Sequence, residues 1–297
     1  MRTLTADDFA RLRDLRAHGP QQIARAFATR SRRDVLREDG RLFIVAADHP
    51  ARGALAVGGD PDAMADRYDL LDRLATALGR PGVDGVLGTP DLIDDLVALG
   101  LLEDKLIVGS MNRGGLRGSC FELDDRFTGY DVKTMVRDGI DFAKTLLRVG
   151  LEDPRTPDTL EATARAVTAA ADAGLPIMLE PFLSRWVDGR IVNDLSTDAV
   201  VLSIAIAAGL GASSAYTWMK LPVVEGMERV MEATTMPTLL LGGDSGAEPD
   251  ETFASWEDAL SLPGVRGLTV GRTLLYPPDG DVAAAVDIAA GLVHTDL

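Results

Sequence analysis

The sequence predicts an α/β fold, a single (β/α)8 barrel with an N-terminal helical extension, and three observations lead there. Short apolar runs alternate with helical patterns along nearly all of the 297 residues. The runs are apolar throughout, which suits parallel strands covered on both faces better than a sheet with one wet side. Such strand–helix units recur eight times at intervals of about 30 residues, which matches a closed barrel better than an open sheet.

Taken in order, residues 5–38 read as one or two polar, Arg-rich amphipathic helices. The expected division is therefore a helical cap over 1–38 and one catalytic barrel over 39–297. The eight strands are expected at Leu42–Asp48, Val83–Gly88, Lys105–Ser110, Ile140–Leu147, Ile177–Glu180, Ala215–Lys220, Thr238–Gly242 and Gly267–Val270. Helical patterns follow them near 61–79, 90–100, 130–138, 157–173, 197–209, 225–234, 252–261 and 281–293. Pro181 is expected to stop the fifth strand at Glu180 and fix its turn. The connection 111–129 is too long for an ordinary barrel turn. It holds Arg113-Gly-Gly-Leu-Arg117-Gly and reads as a loop over the barrel mouth.

Composition narrows the partners. An apolar share of 46% and a charged share of 26% are ordinary for a soluble protein. No run is long and apolar enough for a membrane span, and the first residues lack the apolar core of a signal peptide. The lone Cys120 cannot form an internal disulfide and fits a cytoplasmic location. A net charge of −16 argues against nucleic acid, whose phosphates need a basic face. Small anions remain open as substrates, because exposed charges are screened beyond about 10 Å. Of the three histidines only His49 falls near the mouth, too few for a His-rich zinc site, so neither metal nor cofactor is expected.

Lysine usage points to chemistry. Only Lys105, Lys133, Lys144 and Lys220 occur among 30 basic residues. Arginine cannot shed its proton near neutral pH, so lysine alone can act as an amine nucleophile. Two of the four fall at or near strand C-termini, where barrels keep their active sites. Burial at the end of Thr217-Trp-Met-Lys220 would lower the amine pKa, and a second cation such as Lys144 would lower it further. The competing reading is a snorkelling or ion-paired lysine. Glu180, ending Ile177-Met-Leu-Glu180, could move protons beside these amines or simply pair with one of them. Asp48 could bind a substrate hydroxyl, hold Lys220 in place, or be a satisfied core aspartate. Late in the barrel, Gly242-Gly243-Asp244 and Gly271-Arg272 provide turns of the kind that bind phosphate, with Arg272 as a forked donor. Asp244 would point away from the phosphate or meet a sugar hydroxyl.

These residues resemble the class I aldolases of the DeoC/FbaB/LacD superfamily, nearest the tagatose-bisphosphate, sulfofructose-phosphate and archaeal-type fructose-bisphosphate enzymes. The resemblance runs over roughly 40–293. It rests on Ala46-Ala-Asp48-His49-Pro-Ala-Arg-Gly, Gly139-Ile-Asp-Phe-Ala-Lys144, Leu179-Glu180-Pro, Ala215-Tyr-Thr-Trp-Met-Lys220 and Val270-Gly271-Arg272. It implies a metal-independent lyase in which Lys220 forms a Schiff base and Glu180 is the acid/base. Lys144 would depress the Lys220 pKa and contact substrate, and Asp48 would position hydroxyls. Gly242, Gly243, Asp244, Gly271, Arg272 and His49 would hold a phosphorylated sugar substrate, with dihydroxyacetone phosphate as the donor half. Arg113, Arg117, Arg148 and Arg185 are candidates for an anion on the aldehyde half. Chains of this look are also associated with myo-inositol breakdown, which suggests 6-phospho-5-dehydro-2-deoxygluconate, and relatives commonly form homo-oligomers. Three rivals stay open: a Schiff base on Lys144, a sugar-phosphate isomerase or epimerase using Glu180 and Asp48, and a non-catalytic metabolite-binding barrel.

Overall fold

A computed structural model describes residues 3–242 and 249–295. Gly243 and Asp244 lie outside the described residues. The strands are β1 (Leu42–Ala46), β2 (Gly85–Gly88), β3 (Leu106–Ser110), β4 (Phe142–Val149), β5 (Ile177–Val187), β6 (Arg190–Asp194), β7 (Thr217–Pro222), β8 (Thr238–Leu241) and β9 (Val265–Val270). All except β6 pair in parallel in the order β4-β3-β2-β1-β9-β8-β7-β5, and pairing of β4 with β5 closes the ring. The chain is therefore the predicted (β/α)8 barrel.

Among the described residues the α-helices that follow the first strand are α3 (Arg67–Leu78), α4 (Pro90–Ala98), α5 (Val132–Asp138), α6 (Thr156–Ala173), α7 (Thr197–Ala208), α8 (Met227–Glu232), α9 (Pro249–Leu260), the short α10 (Arg272–Leu275) and α11 (Val282–Val293). Ahead of the barrel come α1 (Ala6–His18), opened by a Thr5–Asp8 capping box, and α2 (Gln21–Thr29). The third helix starts later than the sequence pattern suggested. Asp66 accepts from the backbone N–H groups of Tyr68 and Asp69 and so caps α3, while Val57 and Asp60 pair across a tight turn before it.

The two-residue period of each strand builds the interior in layers. Leu42, Ile44, Leu87, Leu106, Val108, Phe142, Met178, Trp218 and Leu239 point inward and form a buried apolar cluster. Phe142 and Trp218 meet edge to face, with centroids 5.3 Å apart. The intervening strand residues, among them Phe43, Val45, Ile107, Ala143, Leu179, Met219 and Leu268, pack outward against the helices. One step further along the inward register come Ser110, Lys144, Glu180 and Lys220. A dry plug thus fills the barrel, and a polar layer sits on top of it.

The fifth strand corrects an expectation. Pro181 does not end β5, which runs on to Val187 and turns back as β6 in an antiparallel hairpin. The Ile177 N–H donates to Tyr216 O, so N–H groups of odd-numbered residues here face β7. Pairing with β7 stops at Leu179, so the N–H that Pro181 lacks falls where the ladder has already ended. The strand continues along β4 to Leu183, and from Leu183 on it pairs with β6.

At the opposite end of the barrel, His294 links the C-terminal cap of α11 to Asp39 and to Asp84, the latter at 3.1 Å. Hydrogen bonding to Asp84, and then to Asp39, raises its pKa above the ordinary value. A raised histidine pKa contributes stability that is complete below the unfolded value and is lost as pH climbs through the folded one. His294→Gln should therefore lower the urea midpoint clearly at pH 5.5 and much less at pH 9. An equal loss at both pH values would show that packing, not charge, holds this corner.

Candidate active site

Four charged side chains form a chain across the floor of the mouth. The Lys220 Nζ donates to Glu180 Oε1 at 2.6 Å, and Lys144 pairs with the other oxygen of the same carboxylate. Lys144 also reaches Asp48 Oδ2 at 3.3 Å. That oxygen accepts from Ser110 Oγ at 3.0 Å and from the Arg113 guanidinium. All are buried, with Asp48 and Lys144 fully so. Such burial is tolerable only because each charge meets an opposite one. The structure thus brings together the four predicted catalytic residues. The other two lysines lie elsewhere: Lys105 donates to Val83 O at 2.6 Å, and Lys133 is exposed on α5.

Access separates the two site lysines. Lys220 and Glu180 line a cavity of about 460 Å³ at the C-terminal ends of the strands. Lys144 and Asp48 do not line it, because they lie beneath Glu180 and behind Arg113. Asp48 forms no hydrogen bond or ion pair with Lys220. Glu180 stands between the two amines and is bonded to both.

Electrostatics follow from this layout. Burial lowers the Lys220 pKa, Glu180 pulls it back up, and Arg113 and Arg272 push it down again. Lys144 is driven well below its ordinary value, first by burial and then by Arg113. Burial alone would raise Glu180, but Lys144, Lys220 and Arg113 together hold it far below the usual carboxylate range. It is therefore an anion at neutral pH, 2.6 Å from an amine whose proton it can accept.

His49, Gly242, Gly271 and Arg272 also line the cavity. Burial, then Arg272 and Lys220, drive the His49 pKa well below its ordinary value, so the ring is neutral at physiological pH. Gly271 has a steric reason to be glycine, since a Cβ there would sit 2.1 Å from Ala46 O. At Gly242 it would meet Val270 Cγ1 at 2.5 Å. At both positions the backbone passes too close to its neighbours for a side chain.

The four arginines proposed for the aldehyde half part ways. Arg117 lines the cavity. Arg113 is occupied by Asp48. Arg148 lines the cavity too, but its guanidinium grips the Asp125 carboxylate, with a contact of 2.6 Å, and also bonds Glu122. This pins the long 111–129 connection onto β4. Arg185 is exposed on the β5–β6 hairpin, away from the cavity. Sequence reasoning missed Arg52, which lies in a single 3-10 turn over Pro50–Arg52 and faces the cavity. The signal was present in Asp48-His49-Pro-Ala-Arg52, but only the folded turn shows which way the side chain points. Replacing Arg148 by Met should destabilise the protein by about 3–5 kcal/mol, because Asp125 and Glu122 stay buried without their partner. Adding Asp125→Asn should recover part of that loss in denaturant titrations; strict additivity would refute the pinning role.

Among the described residues, six cationic side chains face the cavity against two carboxylates, Glu122 and Glu180. A protein of net charge −16 thus concentrates positive charge at one mouth, which suits an anionic ligand.

Comparison with known proteins places this barrel among relatives. The chain is 71% identical to Cgl0159 from Corynebacterium glutamicum, whose crystal structure superposes with a TM-score of 0.97 over 99% of each chain. It is also similar in fold to an archaeal fructose-1,6-bisphosphate aldolase solved with its catalytic Lys covalently bound to the carbinolamine intermediate. There the TM-score is 0.65 at 18% identity, over 91% of this chain and 99% of the other. A 2-amino-3,7-dideoxy-D-threo-hept-6-ulosonate synthase from Halobacterium salinarum is 27% identical over 179 residues. That match spans 59% of this chain and 62% of the synthase's own length. Residues 40–290 match the profile described as Cgl0159-like, and with most of its length inside that match the chain belongs to the Cgl0159-like family.

Proposed function

We propose that the protein is a class I aldolase that cleaves a phosphorylated keto-sugar or keto-sugar acid into dihydroxyacetone phosphate and an aldehyde through a Schiff base on Lys220. The observation that carries this reading is the position of Lys220: it opens on the cavity with an ionised carboxylate 2.6 Å from its Nζ, whereas Lys144 is sealed beneath. The Schiff-base aldolases of the same fold lend support.

In this scheme Glu180 takes the proton from Lys220, and the neutral amine attacks the ketone carbon to give a carbinolamine. Glu180 returns the proton to the departing hydroxyl, water leaves, and an iminium remains as electron sink. A base then removes the proton of the hydroxyl on the carbon beyond the bond to be broken. That carbon–carbon bond cleaves, its electron pair moves into the iminium as an enamine, and the aldehyde departs. Protonation of the enamine carbon and hydrolysis of the imine release dihydroxyacetone phosphate and restore Lys220. Glu180 is the acid/base in these steps. Lys144 and Arg113 keep that carboxylate ionised, and Asp48 holds Lys144 and Arg113 in place. Gly242, Gly271, Arg272 and neutral His49 receive the phosphate, and Gly243 and Asp244, which follow Gly242 in the sequence, are proposed to join them. The substrate we favour is 6-phospho-5-dehydro-2-deoxygluconate, cleaved to dihydroxyacetone phosphate and malonate semialdehyde. The exposed, unpaired Cys120 fits work in the reducing cytoplasm.

A coupled assay for dihydroxyacetone phosphate, run in EDTA with candidate keto-sugar phosphates, tests the reading. Release of product should persist in EDTA and should be lost irreversibly after borohydride treatment with substrate present. Full activity after that treatment would reject a Schiff-base enzyme.

A further inference from the structure

Arg52 differs from the other arginines drawn into the floor of the mouth. Arg113 is paired with Asp48, and Arg148 with Asp125 and Glu122. The guanidinium of Arg52 makes no hydrogen bond or ion pair to any described residue, and its Nε is buried without a partner. It faces the cavity, with Arg148 and Arg272 close enough to repel it and Glu180 and Asp125 close enough to attract it, while none of them bonds to it. Burial draws its pKa down to about 10, so it still carries its charge at neutral pH. A largely desolvated, unpaired cation is costly to hold, and an arriving anion removes that cost.

Its placement gives that anion an address. The Arg117 backbone N–H donates to Arg52 O at 2.8 Å, which ties the turn after β1 to the loop after β3, and both side chains line the cavity. Around the barrel the order is β7, β8, β9, β1, β2, β3. Gly242, Gly271 and Arg272, at the ends of β8 and β9, are therefore next to Lys220 on β7, whereas Arg52 and Arg117 lie further round the mouth. We propose that Arg52, assisted by Arg117, forms a second anion subsite that takes the carboxylate or phosphate at the substrate end remote from the Lys220 ketone. This rests on the mouth being the substrate site and names the substrate class: a sugar derivative with an oxyanion at each end.

Equilibrium binding to the full chain, using ligands without a ketone, tests the subsite separately from imine chemistry. Glucitol 6-phosphate carries one anion, 6-phosphogluconate adds a carboxylate at the far end, and glucitol 1,6-bisphosphate adds a phosphate there. The wild-type protein should bind one of the two-anion ligands at least about tenfold more tightly than the one-anion ligand. Which one it prefers identifies the group the subsite takes. Arg52→Gln should reduce that preference to about twofold or less, and Arg52→Lys should keep an intermediate value because it supplies charge without the fork. A preference that survives Arg52→Gln, or a wild-type protein with none, overturns the proposal. If the Schiff-base reading alone were wrong, borohydride would trap nothing with ketone substrates while this preference persisted.

Discussion

Lys220→Arg is expected to lower cleavage on the order of 10⁴-fold or more, since the variant keeps a cation but has no amine that can become an imine. Fold and ligand binding should survive, because a cation still faces Glu180. Borohydride with dihydroxyacetone phosphate should then leave the protein unlabelled. Lys144→Arg should behave differently, since Lys144 does not line the cavity. Its loss should appear as a disturbed Glu180 and a shifted pH profile rather than as an absent adduct. An isomerase using Glu180 and Asp48 would keep part of its activity in Lys220→Arg, so one variant separates the two chemistries.

Glu180→Gln is expected to slow turnover by about 10²–10⁴-fold, the usual worth of a positioned acid/base. The pH dependence carries a sign that a merely structural role would not produce. Glu180 raises the Lys220 pKa, while burial, Arg113 and Arg272 lower it. Removing the carboxylate therefore lowers the Lys220 pKa further, and the amine loses its proton at lower pH. The rising limb of adduct formation should move to lower pH while cleavage falls. A limb that stayed in place or moved to higher pH would show that Glu180 is not the principal partner of Lys220.

Much of this site was legible before the fold. Lys144, Glu180 and Lys220 each lie two residues beyond an inward apolar residue: Phe142, Met178 and Trp218 respectively. The two-residue strand period lifts all three from the dry plug into the polar layer. Scarcity of lysine then singled out two of them as reactive candidates. The barrel itself followed from continuous apolar strands, because strands covered on both faces carry no polar alternation to hide their number.

What remained hidden depends on tertiary partners. Whether Pro181 ends a strand turns on where pairing with the neighbouring strand ends, and that is set by how β7 diverges from β5 rather than by the proline. The roles of Arg113 and Arg148 depend on Asp48, Asp125 and Glu122, which approach only when the 111–129 connection folds over the mouth. Arg52 is one arginine among 26 in the chain, and what marks it out is a buried Nε with no acceptor among the described residues, in a crowded cationic cavity. The relation of the two site lysines also needed the fold. The sequence suggested that Lys144 tunes Lys220 directly, whereas Glu180 lies between them and bonds to both.

The most direct measurement is peptide mass spectrometry of the protein reduced with borohydride in the presence of dihydroxyacetone phosphate and EDTA. The account predicts one added three-carbon phosphate unit, confined to the peptide holding Lys220. An adduct on Lys144 would reverse the assignment of the two amines, and no adduct with this or any other ketone donor would contradict the Schiff-base mechanism itself.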